Sequence, residues 1–430
     1  MPAHVDRAAG HTRQPITLRT IAPSAYGPAA LFGVGQGAML PVVAISARNL
    51  GASVGVAALV VAFIGIGQIL GDLPAGALAN RIGERRAMVV SAFVICAGLL
   101  TCIAARSVVV LTVGITVVGF AGAVFGLARQ SYLTEVVPLE LRARALSTLG
   151  GSMRIGAFVG PFLAAWVTSW AGTAGAYWIF VVCAAAAGVL VMVVKDLTPP
   201  KDPNAPPPAP HPDGRSGLFG VAARHRAVLL SLGSCALLLM AVRQARQSVL
   251  PLWCEHLGMS VPTTSLLVGL SGSVDMLLFY PAGSVMDRFG RAWVGVPSLA
   301  VLGLGHALLP LSHSVGGVAV IAVILGVGNG MGAGLVMTLG ADVSPAVGRP
   351  LFLSIWRLVT DFGAAGGPLV VSLVAALVGL GPASLVIAGF AAIAAGMLGK
   401  FAPRRPAQLA QAPQVPSAQP VTAPETSNDG

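Results

Sequence analysis

Two stretches of this chain, GALANRIGERR at residues 76–86 and GSVMDRFGR at residues 283–291, carry almost the same pattern. Position 283 lies 207 residues after position 76, and this offset aligns three pairs of residues: Gly76 with Gly283, Arg81 with Arg288, and Gly83 with Gly290. A pattern that returns at a fixed offset indicates that the chain is built from two similar halves.

The composition is that of a protein embedded in a membrane. Of the 430 residues, 55% are hydrophobic and only 10% are charged, and the mean hydropathy is +0.83. A soluble domain carries roughly 25% charged residues, so this chain has too little polar surface to face water on all sides. The net charge of +11 therefore does not indicate a nucleic-acid-binding surface, which would require a basic face on a soluble fold.

The offset of 207 positions also aligns residues well outside the two quoted stretches. The matches include Leu50 with Leu257, Pro74 with Pro281, Pro138 with Pro345, Arg142 with Arg349, Gly156 with Gly363, Gly160 with Gly367, and Pro161 with Pro368. Isolated matches are expected by chance in a chain with 54 Gly, but one ungapped register over this length is not. Parallel repeats of membrane helices are related by an axis along the membrane normal, and a binding site is expected between them.

Apolar runs between polar breaks predict an all-α membrane fold with twelve transmembrane helices in two pseudo-symmetric six-helix halves. Each helix needs about 20 apolar residues to cross the bilayer. The first six are predicted at 24–47, 53–79, 87–105, 108–129, 145–169 and 174–194, and the second six at 227–253, 262–286, 292–312, 315–340, 350–378 and 381–401. The predicted organisation is a cytoplasmic tail (1–23), an N-terminal bundle (24–194), a Pro-rich cytoplasmic linker (195–226), a C-terminal bundle (227–401) and a disordered tail (402–430).

The basic residues predict the orientation of the helices. Only Arg48 and Arg106 fall on one side of them, and four more lie within the predicted spans: Arg154, Arg243, Arg246 and Arg357. The rest of the 26 Lys and Arg lie on the side of both termini, which the positive-inside rule assigns to the cytoplasm. The preference for Arg over Lys, with heavy use of Ala, Gly and Val, favours a bacterial source, so we expect a multi-pass protein of the bacterial inner membrane.

Both quoted stretches resemble the signature loop of the major facilitator superfamily, G-x-x-x-D-R-x-G-R-R, and both follow the second helix of a half, where that family has it. The resemblance covers about residues 24–401 and implies a secondary transporter in which these loops form a cytoplasmic gate. The implied gating residues are Gly76, Asn80, Arg81, Gly83, Arg85 and Arg86 in the first loop, and Gly283, Asp287, Arg288, Gly290 and Arg291 in the second. Asn80 replaces the usual Asp, so that only the second loop keeps the carboxylate, at Asp287.

Helix 5 contains a second pattern, Gly156-x-x-x-Gly160-Pro161, that resembles the antiporter motif of the same family, G-x-x-x-G-P-x-x-G-G. Helix 11 repeats it as Gly363, Gly367 and Pro368. The resemblance favours efflux over import. Close packing of two helices also requires small residues, so a purely structural role is the alternative. The family's drug-efflux Arg in helix 4 is replaced by Ile115, and its sugar-porter and peptide-porter patterns are absent from the sequence.

Polar and charged side chains inside the predicted helices are the candidates for transport chemistry. A charge at the bilayer centre costs about 2.5–3.5 kcal/mol on insertion scales, so these charges are expected to face one another or water. They either pair to fix the helix register or contact substrate and protons. The candidates for a substrate cavity are Gln36, Gln68, Arg154, Arg243, Arg246, Gln247, Asn329 and Arg357, and the candidates for proton coupling are Asp275, Asp361 and Asp72.

Among the three carboxylates, Asp275 is the leading candidate for the proton site. It lies about halfway along predicted helix 8, close in depth to Arg243 on the antiparallel helix 7. Burial raises the pKa of a carboxyl group and a nearby Arg lowers it, so a change in this balance could bind and release a proton. The hypothesis is that Asp275 carries the proton and that Arg243 adjusts the pKa of Asp275. Asp361 is the next candidate for the proton site.

Two function classes follow from the sequence. The first is a secondary active transporter, either a proton-coupled exporter of drug-like or secondary-metabolite compounds or a transporter of an anionic metabolite held by Arg243 and Arg246. The second is a receptor or enzyme on a transporter fold. A P-loop is absent from the sequence, which excludes ATP-driven export by this chain alone. We expect no catalytic residue, metal site or cofactor, with the proton gradient as energy source, and a monomer whose partners are a small-molecule substrate, protons and the lipid bilayer, without nucleic acid.

Overall fold

In a computed structural model of the protein, the described residues are 22–137, 139–194, 218–332, 334–345 and 349–402. The chain within these ranges is almost entirely helical and contains no strand. The predicted N-terminal tail (1–23), linker (195–226) and C-terminal tail (402–430) lie largely outside the described residues, as do the side chains of Asn80 and Asp287.

The N-terminal half contains six long helices. A π-helical turn, Ala22–Tyr26, leads into α1, Gly27–Asn49, which is followed by α2, Val54–Ile82, α3, Glu84–Ile103, and α4, Val108–Val136. The next helical segment, Leu139–Val193, is broken at Gly172, whose φ of 63° and ψ of −163° are not helical. It therefore comprises two helices, α5 (139–171) and α6 (173–193).

The C-terminal half begins with the short helices Leu218–Arg224 and Arg226–Val228 and a π-helical turn, Leu229–Gly233. Then come α7, Ser234–His256, α8, Val261–Phe289, and α9, Arg291–Leu308. The helix α10 is formed of two pieces, α10a, Val315–Met331, and α10b, Leu335–Val343, and is followed by α11, Arg349–Val378, and α12, Leu380–Phe401.

Eleven described helical segments are long and apolar enough to cross a membrane. One of them, Ala145–Val193, contains the break at Gly172 and accounts for two crossings. The predicted fold of twelve transmembrane helices in two six-helix halves is therefore confirmed.

Serine side chains cap the N-termini of corresponding helices in the two halves. Ser53 and Ser260 accept a hydrogen bond from the backbone N–H three residues on at the starts of α2 and α8, both at 3.3 Å. Ser107 and Ser314 do the same at the starts of α4 and α10, at 3.4 and 3.1 Å. Such caps satisfy N–H groups that the first turn of a helix leaves unpaired, and both pairs of caps obey the offset of 207 positions.

Several helices extend further than the apolar runs predict. Helix α4 continues to Val136 rather than residue 129, α2 reaches Ile82 rather than residue 79, and the α5 segment starts at Leu139 rather than residue 145. An apolar run ends where the hydrocarbon ends, whereas the backbone can continue its helical hydrogen bonds into water.

Glycines hold helices together inside each half. A Cβ at Gly156 on α5 would lie 2.1 Å from the Ala30 carbonyl oxygen of α1, and a Cβ at Gly367 on α11 would lie 2.0 Å from the Ala241 carbonyl oxygen of α7. Gly160 and Gly363 make equally close approaches, at 2.4 and 2.2 Å. Only glycine permits this separation of the helices, so the predicted packing motifs join α1 to α5 and α7 to α11.

The two halves meet along two pairs of helices. Helix α2 packs against α11, which we call the α2–α11 seam, and α5 packs against α8, which we call the α5–α8 seam. The repeat offset relates α2 to α8 and α5 to α11, so the seams are equivalent under the pseudo-two-fold axis.

Candidate functional site

A cavity of about 440 Å³ lies between the two halves. It is lined by residues of α1, α5, α7, α8 and both pieces of α10. Its polar lining includes Gln36, Arg154, Arg243, Gln244, Arg246, Gln247, Ser271, Asp275 and Asn329, and its apolar lining includes Leu40, Phe158, Met240, Leu250, Met276 and Met337. A cavity of this size, mostly apolar with a few convergent polar groups, is suited to a small organic molecule.

A hydrogen-bonded chain crosses the C-terminal side of the cavity. Arg243 Nε donates to Asn329 Oδ1 at 2.7 Å, and Asn329 Nδ2 donates to Asp275 Oδ2 at 2.6 Å. Arg243 also donates to the Gly332 carbonyl oxygen at 3.3 Å. The predicted proximity of Arg243 and Asp275 is thus mediated by the amide of Asn329.

The ion-pair partner of Asp275 comes from the other half of the protein. Arg154 Nη1 on α5 lies 3.8 Å from Asp275 Oδ1, an atom that is buried and makes no hydrogen bond within the described part of the chain. The guanidinium of Arg154 also lies over the ring of Phe279, 4.2 Å from its centroid. Both contacts cross the α5–α8 seam.

The charges that line the cavity do not balance. Three guanidiniums, those of Arg154, Arg243 and Arg246, face the single carboxylate of Asp275. Arg246 Nη1 donates to the Ser271 hydroxyl at 2.7 Å, which orients the guanidinium but supplies no negative charge. The described cavity therefore has an excess of positive charge and favours an anion.

Not every predicted cavity residue reaches the cavity. Gln36 and Gln247 line it, and Gln247 donates to Gln244 at 2.9 Å, whereas Gln68 and Arg357 are not among its lining residues. Sequence reasoning left Ser271 out of the predicted site, because a serine in an apolar helix also satisfies itself by bonding to its own backbone.

A second polar cluster lies on the α2–α11 seam, outside the cavity lining. Arg357 Nη2 of α11 donates to Asp72 Oδ1 of α2 at 3.1 Å, and Arg357 Nε lies 3.6 Å from Asp361 Oδ2 one turn along α11. One guanidinium thus contacts the carboxyl groups of Asp72 and Asp361, which belong to different halves. Arg357 was predicted in the cavity, and the structure places it instead with two of the predicted proton-coupling residues.

The two loops that resemble each other reverse the chain in the same way. Gly83 and Gly290 have φ values of 86° and 98°, in the region that glycine adopts without strain. In the first loop, Arg85 donates to the carbonyl oxygens of Met192 and Val194. In the second, Arg291 Nε donates to Asp342 at 2.7 Å.

The other gating residues whose side chains the structure describes are exposed or have few neighbours. Arg81, Arg86 and Arg288 are exposed. A Cβ at Gly283 would meet nothing within 4 Å, and one at Gly76 would meet only Leu127 of α4, at 4.0 Å. A side-chain atom at either glycine would therefore meet no residue of the opposite half within 4 Å in this conformation.

The halves are closed at the opposite end. Arg48, at the end of α1, donates from Nε to both carboxylate oxygens of Glu255 on α7, at 3.2 Å each. These two residues are also related by the offset of 207 positions. Along the α2–α11 seam at this end, a Cβ at Gly55 would lie 2.7 Å from Ala376 Cβ. The cavity thus closes toward Arg48, while its lining residue Met337, toward the loops, is 80% exposed.

Comparison with known proteins agrees with this architecture. The family model of the Major Facilitator Superfamily matches residues 29–253 and again 232–426. An uncharacterized MFS-type transporter, Rv1877, of Mycobacterium tuberculosis (strain ATCC 25618 / H37Rv) is 25% identical over 198 residues, which are 46% of this chain and 29% of that relative. The chain therefore matches less than a third of the length of this curated relative.

Solved structures of transporters share the fold. A bacterial homolog of the human lysosomal transporter Spinster, in an inward-facing and unoccupied conformation, has a TM-score of 0.72 at 15% identity, covering 90% of this chain and 97% of that one. A D-xylose–proton symporter has a TM-score of 0.68 at 15% identity, covering 90% and 98%. With the family model matching both halves, the chain belongs to the Major Facilitator Superfamily of transporters.

Proposed function

We propose that this protein is a secondary active transporter that moves a small organic anion across the bacterial inner membrane by alternating access. The observation that carries the proposal is the charge of the central cavity, where three guanidiniums face one carboxylate. An excess of positive charge inside a membrane protein is costly, and an anionic substrate would offset it.

The lining also indicates that the anion has an apolar part. Phe158, Met240, Met276 and Met337 are among the residues that line the cavity. Methionine and aromatic side chains adapt to irregular apolar surfaces, which suits a substrate of variable shape. The preferred substrate is therefore an amphipathic anion, with its charged group at Arg243 and Arg246.

The ends of the cavity support a transport cycle. The positive-inside rule assigns the end with the loops to the cytoplasm, so the described conformation is open to the cytoplasm and closed to the outside by Arg48 and Glu255. Opening the other way requires this ion pair to break and the loops to come together around Gly76 and Gly283.

The direction is proposed as proton-coupled export of drug-like or secondary-metabolite compounds, of which amphipathic anions are one class. The supporting observation is the close packing of Gly156 against α1, in the pattern that resembles the antiporter motif. Proton-coupled import or export of an anionic metabolite held by Arg243 and Arg246 remains the second candidate, since the same cavity charges would serve it.

Matched compounds that differ only in charge test the proposal. Binding of 1-naphthoate, 1-naphthamide and 1-naphthylmethylamine to the purified protein would be compared by thermal stabilisation, together with other aromatic and aliphatic triplets of the same design. We expect the anion of at least one triplet to stabilise the protein more than its neutral and cationic partners, and Arg246→Ala to remove that difference. Preference for the cations, or no preference for the anion in any triplet, would contradict the proposal.

A further inference from the structure

We infer that Asp72, Arg357 and Asp361 form the proton-coupling site, separate from the substrate cavity, and that the shared proton holds the α2–α11 seam closed at its outer end. The inference rests on the proposed proton-coupled transport, and it moves the coupling role from Asp275 to the seam between the halves.

The meeting of two carboxyl groups at one guanidinium is the first argument. Asp72 belongs to the N-terminal half and Asp361 to the C-terminal half, and both lie against Arg357, at 3.1 and 3.6 Å. Two ionised carboxylates held at one cation repel each other, whereas a protonated carboxyl group can donate a hydrogen bond to an ionised one. The geometry of the seam therefore favours a bound proton.

The second argument is the local balance of charge. With both carboxyl groups ionised, Asp72 and Asp361 carry two negative charges against the single guanidinium of Arg357, which contacts both. One proton makes the cluster neutral. Among the described residues, the charged groups on the neighbouring helices α4 and α7 include Arg129, Arg243 and Arg246.

Asp275 lies in the opposite environment. It accepts from Asn329, pairs with Arg154, and shares its cavity with Arg243 and Arg246. These contacts make Asp275 a positioning residue that holds Arg154 and, through Asn329, Arg243 at the cavity.

The position of the cluster links the proton to the conformational change. On its outer side the seam is tight, since a Cβ at Gly65 would lie 3.0 Å from Ala365 Cα. One turn to the inner side, a Cβ at Gly76 would meet no atom of α11 within 4 Å. The cluster thus lies inward of this tight packing, and the side chain of Arg357 is 48% exposed.

The proton cycle depends on which helix carries each residue of the cluster. When Asp72 moves away with α2, Arg357 and Asp361 remain together on α11 as an (i, i+4) ion pair. Before this separation the O–H bond breaks and the proton passes to water on the cytoplasmic side, toward which the described conformation is open, and the two ionised carboxylates then repel each other. Protonation therefore favours the described conformation, and deprotonation favours opening of the outer end.

Distance measurements at several pH values test this without any substrate. Spin labels carried by noncanonical amino acids at positions 56 and 378, both exposed at the outer ends of α2 and α11, leave the five native Cys intact. In lipid nanodiscs, we expect a short distance at acid pH and a growing population of longer distances at alkaline pH. Asp361→Asn should keep the short distance at every pH, because an amide can donate permanently to Asp72.

Asp275→Asn is the matched control, since it removes one carboxylate from the same half, and it should retain the pH response. Asp72→Asn provides a second variant of the seam and should also abolish the response. A pH response that persists in both seam variants, or one that requires Asp275 instead, would overturn the inference, as would its absence from the parent protein. The proposed substrate class fails separately, through the naphthalene series, because no anion is present here.

Discussion

The two seams place different chemistry at the same position of the repeat. The offset of 207 positions relates Asp72 to Phe279 and Arg154 to Asp361. In the α2–α11 seam the side chains at this position are two carboxyl groups, both in contact with Arg357. In the α5–α8 seam it joins a guanidinium and an aromatic ring, 4.2 Å apart.

This difference separates the two ligands of the proposed transporter. The carboxyl pair, with only Arg357 beside it, has room for a proton, whereas Arg154 adds its charge to the cavity and favours an anion. Because both pairs join the two halves, each ligand acts on the same rigid-body motion. The duplicated fold supplies two equivalent positions, and the divergence of four side chains assigns one to the proton and one to the substrate.

The largest effect is expected from disturbing the scaffold that carries Asp361. A Cβ at Gly367 would lie 2.0 Å from the Ala241 carbonyl oxygen, a backbone atom that cannot move away alone. Gly367→Ala should lower the free energy of unfolding by about 3 kcal/mol, at the upper end for overpacking. Loss of monodisperse protein and a lower thermal midpoint in detergent would show it.

The adjacent glycine provides the control. A Cβ at Gly366 would meet nothing within 4 Å, so Gly366→Ala should leave the protein unchanged or stabilise it by up to about 1 kcal/mol through helix propensity. Equal behaviour of the two variants would refute the close α7–α11 contact.

A smaller effect is expected from removing one cavity cation. Arg246→Ala deletes the charge held toward the cavity by Ser271, and a hydrogen bond to a charged group contributes about 1.5–3 kcal/mol. The affinity for the anion that stabilises the parent protein should fall roughly 10- to 100-fold, as measured by calorimetry. Arg106→Ala, at an exposed position outside the cavity, should leave that affinity unaltered, and a comparable loss there would show that the cavity charge is not responsible.

Replacing the ring in the α5–α8 seam should weaken that seam alone. Phe279→Leu removes the surface on which Arg154 lies, and such contacts contribute about 0.5–1 kcal/mol at exposed sites. Thermal stability should decrease slightly while the pH-dependent distance between α2 and α11 is preserved. Phe362→Leu, at an exposed ring on α11, serves as comparison. If Phe279→Leu abolished the pH response, the two seams would not be independent.

The smallest effect is expected at the closed end. Arg48 and Glu255 are partly exposed, at 31% and 28% along their side chains, and such pairs contribute at most about 1 kcal/mol. Reversing one charge, Arg48→Glu, should increase the reaction rate of an introduced outer cysteine a few-fold. Because the residues are repeat mates, the exchange Arg48→Glu with Glu255→Arg should restore the parent rate. An exchange variant as reactive as the single one would show that the pair does not close this end.

The sequence predicts much of this arrangement, but it does not predict which residues contact each other across the two seams. Apolar runs and the repeat offset predict the helices, the two halves and the glycine contacts, since these depend on residues of one repeat. They also select Asp72, Asp275 and Asp361 as candidates. Which of them meets Arg154 or Arg357 depends on the rotation of each helix about its axis, and side chains on opposite halves set that rotation. Sequence order suggested neighbours on consecutive helices, such as Arg243 and Asp275, whereas the ion pairs that join the halves connect helices far apart in the chain.

Infrared difference spectroscopy tests the central claim most directly, because protonated carboxyl groups absorb at a different frequency from ionised ones. Spectra of the parent protein in lipid would be compared between acid and alkaline pH, alongside Asp361→Asn and Asp275→Asn. We expect the pH-dependent band of a protonated carboxyl group in the parent protein and in Asp275→Asn, and its loss in Asp361→Asn. A band that survives in Asp361→Asn and disappears in Asp275→Asn would place the proton in the cavity and contradict the separation of the two sites.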